Sequence, residues 1–187
     1  MKNLIEIIND YNLFKGEHMY GTDKEFLHSY VSNFYQSAFE PLQQKPIELL
    51  EIGTFTGASL KMWKEFFING KVSGVDIEDK RIAEYIDEQI TYYHADAYQK
   101  AFVDTLPEFD IIIDDGPHTL GSQLIATNLY YSKLKEGGLF VIEDIDSDMN
   151  IRLLSECVET VFKKTPNIID NRVIAKLNNE CILWVQK

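Results

Sequence analysis

Cysteine is scarce in this 187-residue chain: Cys157 and Cys181 are the only two, both in apolar contexts and without metal-like spacing. That excludes a disulfide scaffold and a zinc-finger arrangement, and the two are expected as reduced packing residues. Basic residues are also few. Eighteen Lys and Arg stand against 30 Asp and Glu, for a formal net charge of −12, and no Lys/Arg cluster interrupts the acidic field. A nucleic-acid backbone would be approached against the protein's own potential, so no nucleic-acid partner is expected. Long apolar runs are missing too: none approaches the roughly 18 residues of a membrane span, and "MKNLIEIINDYN" carries acids where a secretory signal needs an apolar core. A soluble, cytoplasmic protein without a membrane partner is expected. There is no repeat, low-complexity tract or long Gly/Pro/Ser linker. With 45% hydrophobic residues the chain suffices for one well-buried core, so residues 1–187 read as a single domain, with a helical cap over 1–40 and a sheet core over 47–187.

From Ile47 onward, short apolar runs alternate with segments of helical periodicity, the pattern of a mostly parallel sheet with helices on both faces. The expected strands are 47–52, 71–77, 90–95, 109–115 and 138–144. Between and after them, "ASLKMWKEFF", "DKRIAEYIDE", "AYQKAFVDTL", "LGSQLIATNLYYSKLK" and "NIRLLSECVETVFKK" read as helices. In the tail, "NRVIAKL" and "CILWVQ" around "NNE" read as an antiparallel hairpin.

A dinucleotide fold would want G-x-G-x-x-G at the first strand-to-helix turn, and that pattern is absent. "LLEIGTFTGASLKMW" instead gives Glu51-x-Gly53-x-x-x-Gly57, with Phe55 where a middle glycine often stands. Such a turn is a poor cradle for pyrophosphate. It looks like the first motif of class I methyltransferases, whose loop wraps the amino-acid end of S-adenosylmethionine, with Glu51 near the ammonium and Gly53 allowing close backbone approach. The second strand ends in Asp76, 23 residues after Gly53, an acid suited to both hydroxyls of a ribose. "HADAY" offers Asp96 to an adenine amino group or as a helix cap. The candidate cofactor contacts are Glu51, Gly53, Thr54, Gly57, Asp76, Asp96, Ala97 and Asp114. In an open parallel sheet the strand ends that carry them share one edge, where ligands bind.

"FDIIIDDGPHT" and "GGLFVIEDID" put a second acidic group on the fourth and fifth strands. Adjacent parallel strands lie about 5 Å apart, so Asp115, Glu143 and Asp144 converge if those strands are neighbours. Crowded carboxylates protonate or find a cation, and oxygen donors favour a hard divalent ion such as Mg²⁺. Asp114 and Asp115 cannot both face one site from adjacent extended positions, so Asp115 is assigned to the metal. His118, three residues on, is placed to take a proton.

Together, "YGTDK", "LLEIGTFTGASLKMW", "FDIIIDDGPHT" and "LKEGGLFVIEDI" resemble the sugar O-methyltransferases of macrolide biosynthesis, the macrocin and mycinamicin type, from about residue 19 to 146. The resemblance implies a Rossmann-like class I methyltransferase fold, S-adenosylmethionine and Mg²⁺ as cofactors, and a sugar hydroxyl of a small molecule as acceptor. It matches the family's metal acids to Asp115, Glu143 and Asp144, and its catalytic histidine to His118. Pro117 departs from the family's usual serine but leaves the Asp-to-His spacing intact. Tyr20, Thr22, Asp23 and Lys24 line the cofactor pocket, or Asp23 caps a helix beginning at Lys24. The chain is short for the family, which leaves an open groove or a wall supplied by a second subunit in a homo-oligomer. Other readings are a catechol-like phenol O-methyltransferase, a non-catalytic cofactor-binding module with "FYQSAF" and "NLYYSKL" as interfaces, and, disfavoured by the glycine spacing, a nicotinamide-dependent oxidoreductase.

Overall fold

The computed structural model describes residues 1–13 and 21–187. Seven strands form one sheet: β1 Glu48–Ile52, β2 Lys71–Asp76, β3 Ile90–His94, β4 Phe109–Asp114, β5 Leu134–Ile142, β6 Asn167–Asp170 and β7 Cys181–Gln186, in the order β3-β2-β1-β4-β5-β7-β6. The first five are parallel, and β7 runs antiparallel to both β5 and β6. The order reverses between β1 and β4, and at that switch point the connections leave on opposite faces and open a crevice at the carboxyl edge.

Alternation within the strands divides the core in two. Leu49, Ile111, Ile113, Val141 and Ile182 point to one face, while Leu50, Ile112, Phe140, Ile142 and Leu183 point to the other, all buried. The first face is covered by α1 Leu4–Asp10, α2 Gln36–Phe39 and α3 Ala58–Phe66. Phe34, Tyr35, Phe39, Trp63 and Phe67 interlock there in tilted and edge-on ring pairs, so the aromatics of "FYQSAF" are core. The second face is covered by α4 Lys100–Val103, α5 Leu120–Tyr130 and α6 Asp148–Phe162. Thr119 caps α5 through the Ser122 N–H, and Ser147 caps α6 through the Asn150 N–H. Both cysteines are free thiols.

Beyond shifted ends, such as β5 beginning at Leu134, two local expectations change in kind. "DKRIAEYIDE" forms only a 3₁₀ turn at Ala83–Tyr85, because Asp76 and Asp87 accept the N–H groups two residues on, at Glu78 and Gln89, and such side-chain turns compete with a helix. In the tail, β6 is "NIID" and lies upstream of the expected strand. "NRVIAKL" instead begins with Asp170 binding the Arg172 guanidinium and enters the short helix α7, Arg172–Ala175. No helix among the described residues is long and apolar enough to cross a membrane.

Before α2 the chain makes a π-helical stretch, Val31–Tyr35, with the Gln36 N–H bonded to the Val31 carbonyl. Residues five apart lie about 140° apart around an α-helix. The wider i→i+5 turn brings them nearer one face, and Tyr30 and Tyr35 both reach the acids of the carboxyl edge.

Candidate active site

A cavity of about 570 Å³ opens over the carboxyl edge. Its walls include Gly53 and Thr54 after β1, Asp76 at the end of β2, Asp96 to Tyr98 after β3, Asp115 to His118 after β4, and Gly21 to Asp23 from the N-terminal segment. The glycine in the first turn has a clear reason. Gly53 has φ +81°, and a Cβ there would sit 2.0 Å from the Asp115 carbonyl oxygen. The close approach that it permits is by the neighbouring β4 loop, and the same turn lines the cavity. Gly53→Ala should cost more than about 3 kcal/mol, since it combines a positive φ with a clash against backbone that cannot yield; urea denaturation within about 1 kcal/mol of wild type would contradict that packing.

Asp76 is held in place: its two carboxylate oxygens accept the N–H groups of Phe55 at 2.8 Å and Glu78 at 2.9 Å. Asp96 likewise accepts the Tyr98 N–H at 2.9 Å and the Gln99 side chain at 3.0 Å, so it lines the cavity and fixes the turn before α4 at once. Two immobilised carboxylates on one cavity are placed to accept hydroxyl or amino donors of a ligand.

Behind the cavity lies an acidic cluster around the Lys24 ammonium. The Lys24 ammonium, 1% exposed, donates to Asp115 at 2.7 Å and to Glu143 at 2.6 Å, and lies 3.2 Å from Glu51 as an ion pair without hydrogen-bond alignment. Burial opposes its charge, but Asp115, Glu143 and Glu51 together raise its pKa well above the ordinary lysine value. Glu51 also accepts the Ser59 hydroxyl at 2.6 Å, and Glu143 accepts the Tyr35 hydroxyl. Burial pushes the Asp115 carboxyl well above its usual range and Glu143 up to about 7, in each case against the pull of Lys24.

Outside this ammonium, single ligand atoms of Asp115, His118 and Asp144 lie within 4.8 Å of one another, a spacing open to a metal ion. His118 Nε2 is 3.9 Å from Asp115 and 3.5 Å from Asp144, while its buried Nδ1 has no hydrogen-bond partner among the described residues. Burial lowers the His118 pKa despite the opposing charge of Asp144. His118 and Asp144 both hold left-handed backbone, at φ 54° and 57°, as does Phe55 at 45°. Such conformations cost on the order of 1 kcal/mol or more apiece, and their grouping on one sheet edge marks a site shaped for something other than stability.

The edge therefore gathers Gly53, Thr54, Asp76, Asp96, Ala97, Asp115 and His118 around the cavity. Glu51, Gly57 and Asp114 are not on its wall. Glu51 is buried, where it accepts the Ser59 hydroxyl and pairs with Lys24. Gly57 starts α3 at φ +89°. Asp114, on the opposite face from Asp115, accepts the Tyr98 hydroxyl at 2.8 Å, and burial raises its pKa to about 6. Glu143, expected as a metal acid, is turned onto Lys24 and Tyr35 and stands outside the converging set, in which His118 takes the third place. Lys24 lies behind the cavity wall that Thr22 and Asp23 help to form, and Tyr20 lies outside the described residues. Lys24, Tyr30, Tyr35 and Tyr98 are the partners that sequence reasoning did not assign to the acids, and only "YGTDK" gave a signal for one of them.

Strand order, the acid-ended loops and the edge cavity define a Rossmann-like class I methyltransferase. A family model for the methyltransferase domain matches residues 50–145, just over half of the chain, and the chain belongs to that family. It is 32% identical over 139 residues to 8-demethyl-8-alpha-L-rhamnosyl tetracenomycin-C 2'-O-methyltransferase of Streptomyces olivaceus, covering 68% of this chain and 36% of that enzyme. It is 33% identical over 132 residues to mycinamicin VI 2''-O-methyltransferase of Micromonospora griseorubida, covering 64% and 32%. The chain thus spans about a third of the length of these curated relatives. Among solved structures, the MycE methyltransferase of the mycinamycin pathway, in complex with Mg and S-adenosylhomocysteine, is similar in two crystal forms. One aligns with TM-score 0.65 at 30% identity over 76% of this chain and 36% of that one, the other with TM-score 0.76 at 24% identity over 100% and 55%.

Proposed function

We propose that this chain is an S-adenosylmethionine-dependent, magnesium-assisted O-methyltransferase acting on a sugar hydroxyl of a glycosylated small molecule. The observation that carries the reading is the placement of Asp115, His118 and Asp144 beside one another at the edge where the cavity with Asp76 and Asp96 ends.

The cavity residues fit the cofactor: Asp76 for the ribose hydroxyls, Asp96 for the adenine amino group, and the Gly53–Thr54 turn with Gly21–Asp23 for the amino-acid end. Bound there, S-adenosylmethionine supplies an activated methyl group. Hard oxygen donors suit magnesium, which would be held by Asp115 and Asp144 and supplies a Lewis acid for neighbouring substrate oxygens. Glu143, which shares the Lys24 ammonium with Asp115, stands behind that set. Magnesium's preference for oxygen leaves the His118 imidazole free for a proton. His118 sits between the cavity and Asp144, and its lowered pKa keeps it neutral near pH 7. It accepts the proton of the acceptor hydroxyl as the oxygen takes the methyl group, and Asp144 stabilises the imidazolium that results. The sugar as acceptor draws on relatives whose names specify rhamnosyl and mycinamicin substrates.

Transfer of labelled methyl from S-adenosylmethionine, tested on a rhamnosylated aromatic, its aglycone and a catechol, separates the acceptor classes. Methylation of the glycoside alone, abolished by EDTA and restored by Mg²⁺, is expected; methylation of the catechol alone would replace the sugar reading.

A further inference from the structure

Glu180 lies beyond the family-matched segment, at the turn into β7, and it is almost wholly buried. A carboxylate there requires partners. It accepts the Ser29 N–H and hydroxyl, both at 2.7 Å, on one oxygen, and meets His28 Nδ1 at 2.8 Å on the other. The contact between His28 Nδ1 and Glu180 fixes the ring. The ring stacks on Tyr30 at 4.9 Å with 12° between planes, and its Nε2 lies 3.7 Å from Asp144 Oδ1. The Tyr30 hydroxyl donates to that same oxygen at 2.6 Å and lies 2.8 Å from the Asn179 carbonyl, next to Glu180. All of this meets on a residue with left-handed backbone whose other oxygen faces His118.

We infer that Glu180 is a positioning residue of the active site, orienting Asp144 through the His28–Tyr30 stack so that its free oxygen meets Asp115 and His118. Resting on the magnesium reading above, the assignment makes Glu180, His28 and Tyr30 the outer support of the metal centre. Partners of this kind commonly carry a tenfold or larger share of metal affinity. Neither the Ser29 contacts nor the burial of Glu180 alone would connect the tail to the metal side; the stack and the shared Asp144 oxygen do.

The test is calorimetric titration of Mg²⁺ into protein loaded with S-adenosylhomocysteine, for wild type, Glu180→Gln and Tyr30→Phe. In Glu180→Gln the amide oxygen can still accept from Ser29, and Tyr30→Phe removes only a hydroxyl, so at least one variant is expected to fold, checked by circular dichroism. The inference expects both folded variants to bind Mg²⁺ tenfold or more weakly while S-adenosylhomocysteine affinity stays within twofold. Wild-type Mg²⁺ affinity in the folded variants would overturn the inference and leave the magnesium reading intact. Absence of Mg²⁺ binding to wild type would overturn both.

Discussion

Lys24→Met should destabilise the protein by about 3–5 kcal/mol, the scale for removing one partner of a buried ion pair, which for a domain of this size lowers Tm by roughly 6–20 °C. The reason is geometric. One ammonium serves Asp115, Glu143 and Glu51, which come from the ends of three strands, and nothing of opposite charge replaces it among its described partners. The loss should depend on pH. Burial raises the folded-state pKa of Glu143 to about 7 and that of Asp115 above its ordinary value, so folding favours their protonated forms. A raised carboxyl pKa gives stability that is present at low pH and lost as pH rises through the folded value. In EDTA the variant should therefore lie closer to wild type at pH 5 than at pH 8. Glu143→Gln in the Lys24→Met background should recover part of the loss, because it removes a carboxylate left without its cation. Equal stability of Lys24→Met and wild type at pH 8 would show that the ammonium does not hold the cluster.

His118→Asn carries the largest expected effect on turnover. Asparagine tolerates the left-handed backbone at φ 54°, so the loop should hold while the base is lost, which alanine would not isolate as cleanly. A fall of about 10²–10⁴-fold in kcat is expected, the range for loss of a general base, with S-adenosylhomocysteine affinity within a few-fold of wild type. Single-turnover rates within threefold of wild type would remove His118 from the proton transfer. In the wild type the acid limb of the rate profile should lie below pH 6.5, since burial lowers the His118 pKa and the base works as the neutral ring.

Much of this site was legible because strand ends and alternation are local signals. Asp76, Asp96 and Asp115 follow apolar runs, and parallel order alone sets them on one edge. The opposite orientations of Asp114 and Asp115 follow from the two-residue period of a strand, and the structure sends one to Tyr98 and the other to Lys24. What the sequence hid is non-local. Lys24 meets Asp115 and Glu143 across 91 and 119 positions, and Glu180 meets His28 across 152. No spacing rule reaches that far. The expected helix over 79–88 failed for a different reason: Asp76 and Asp87 tie the connection into turns at both ends, and Arg81 lies over the Tyr92 ring at 3.9 Å. In the tail, apolar Val173 and Ile174 suggested a strand, yet both are exposed, because the Asp170–Arg172 pair bends the chain before the sheet can continue.

In the proposed reaction the outer acids of this edge hold a divalent ion. Equilibrium binding of Mn²⁺, followed by its electron paramagnetic resonance signal in competition with Mg²⁺, tests it in protein loaded with S-adenosylhomocysteine. One site is expected in the wild type, displaced by Mg²⁺ and lost in Asp115→Asn. A wild type that leaves all the Mn²⁺ free, or an Asp115→Asn variant that binds as tightly as wild type, would contradict it.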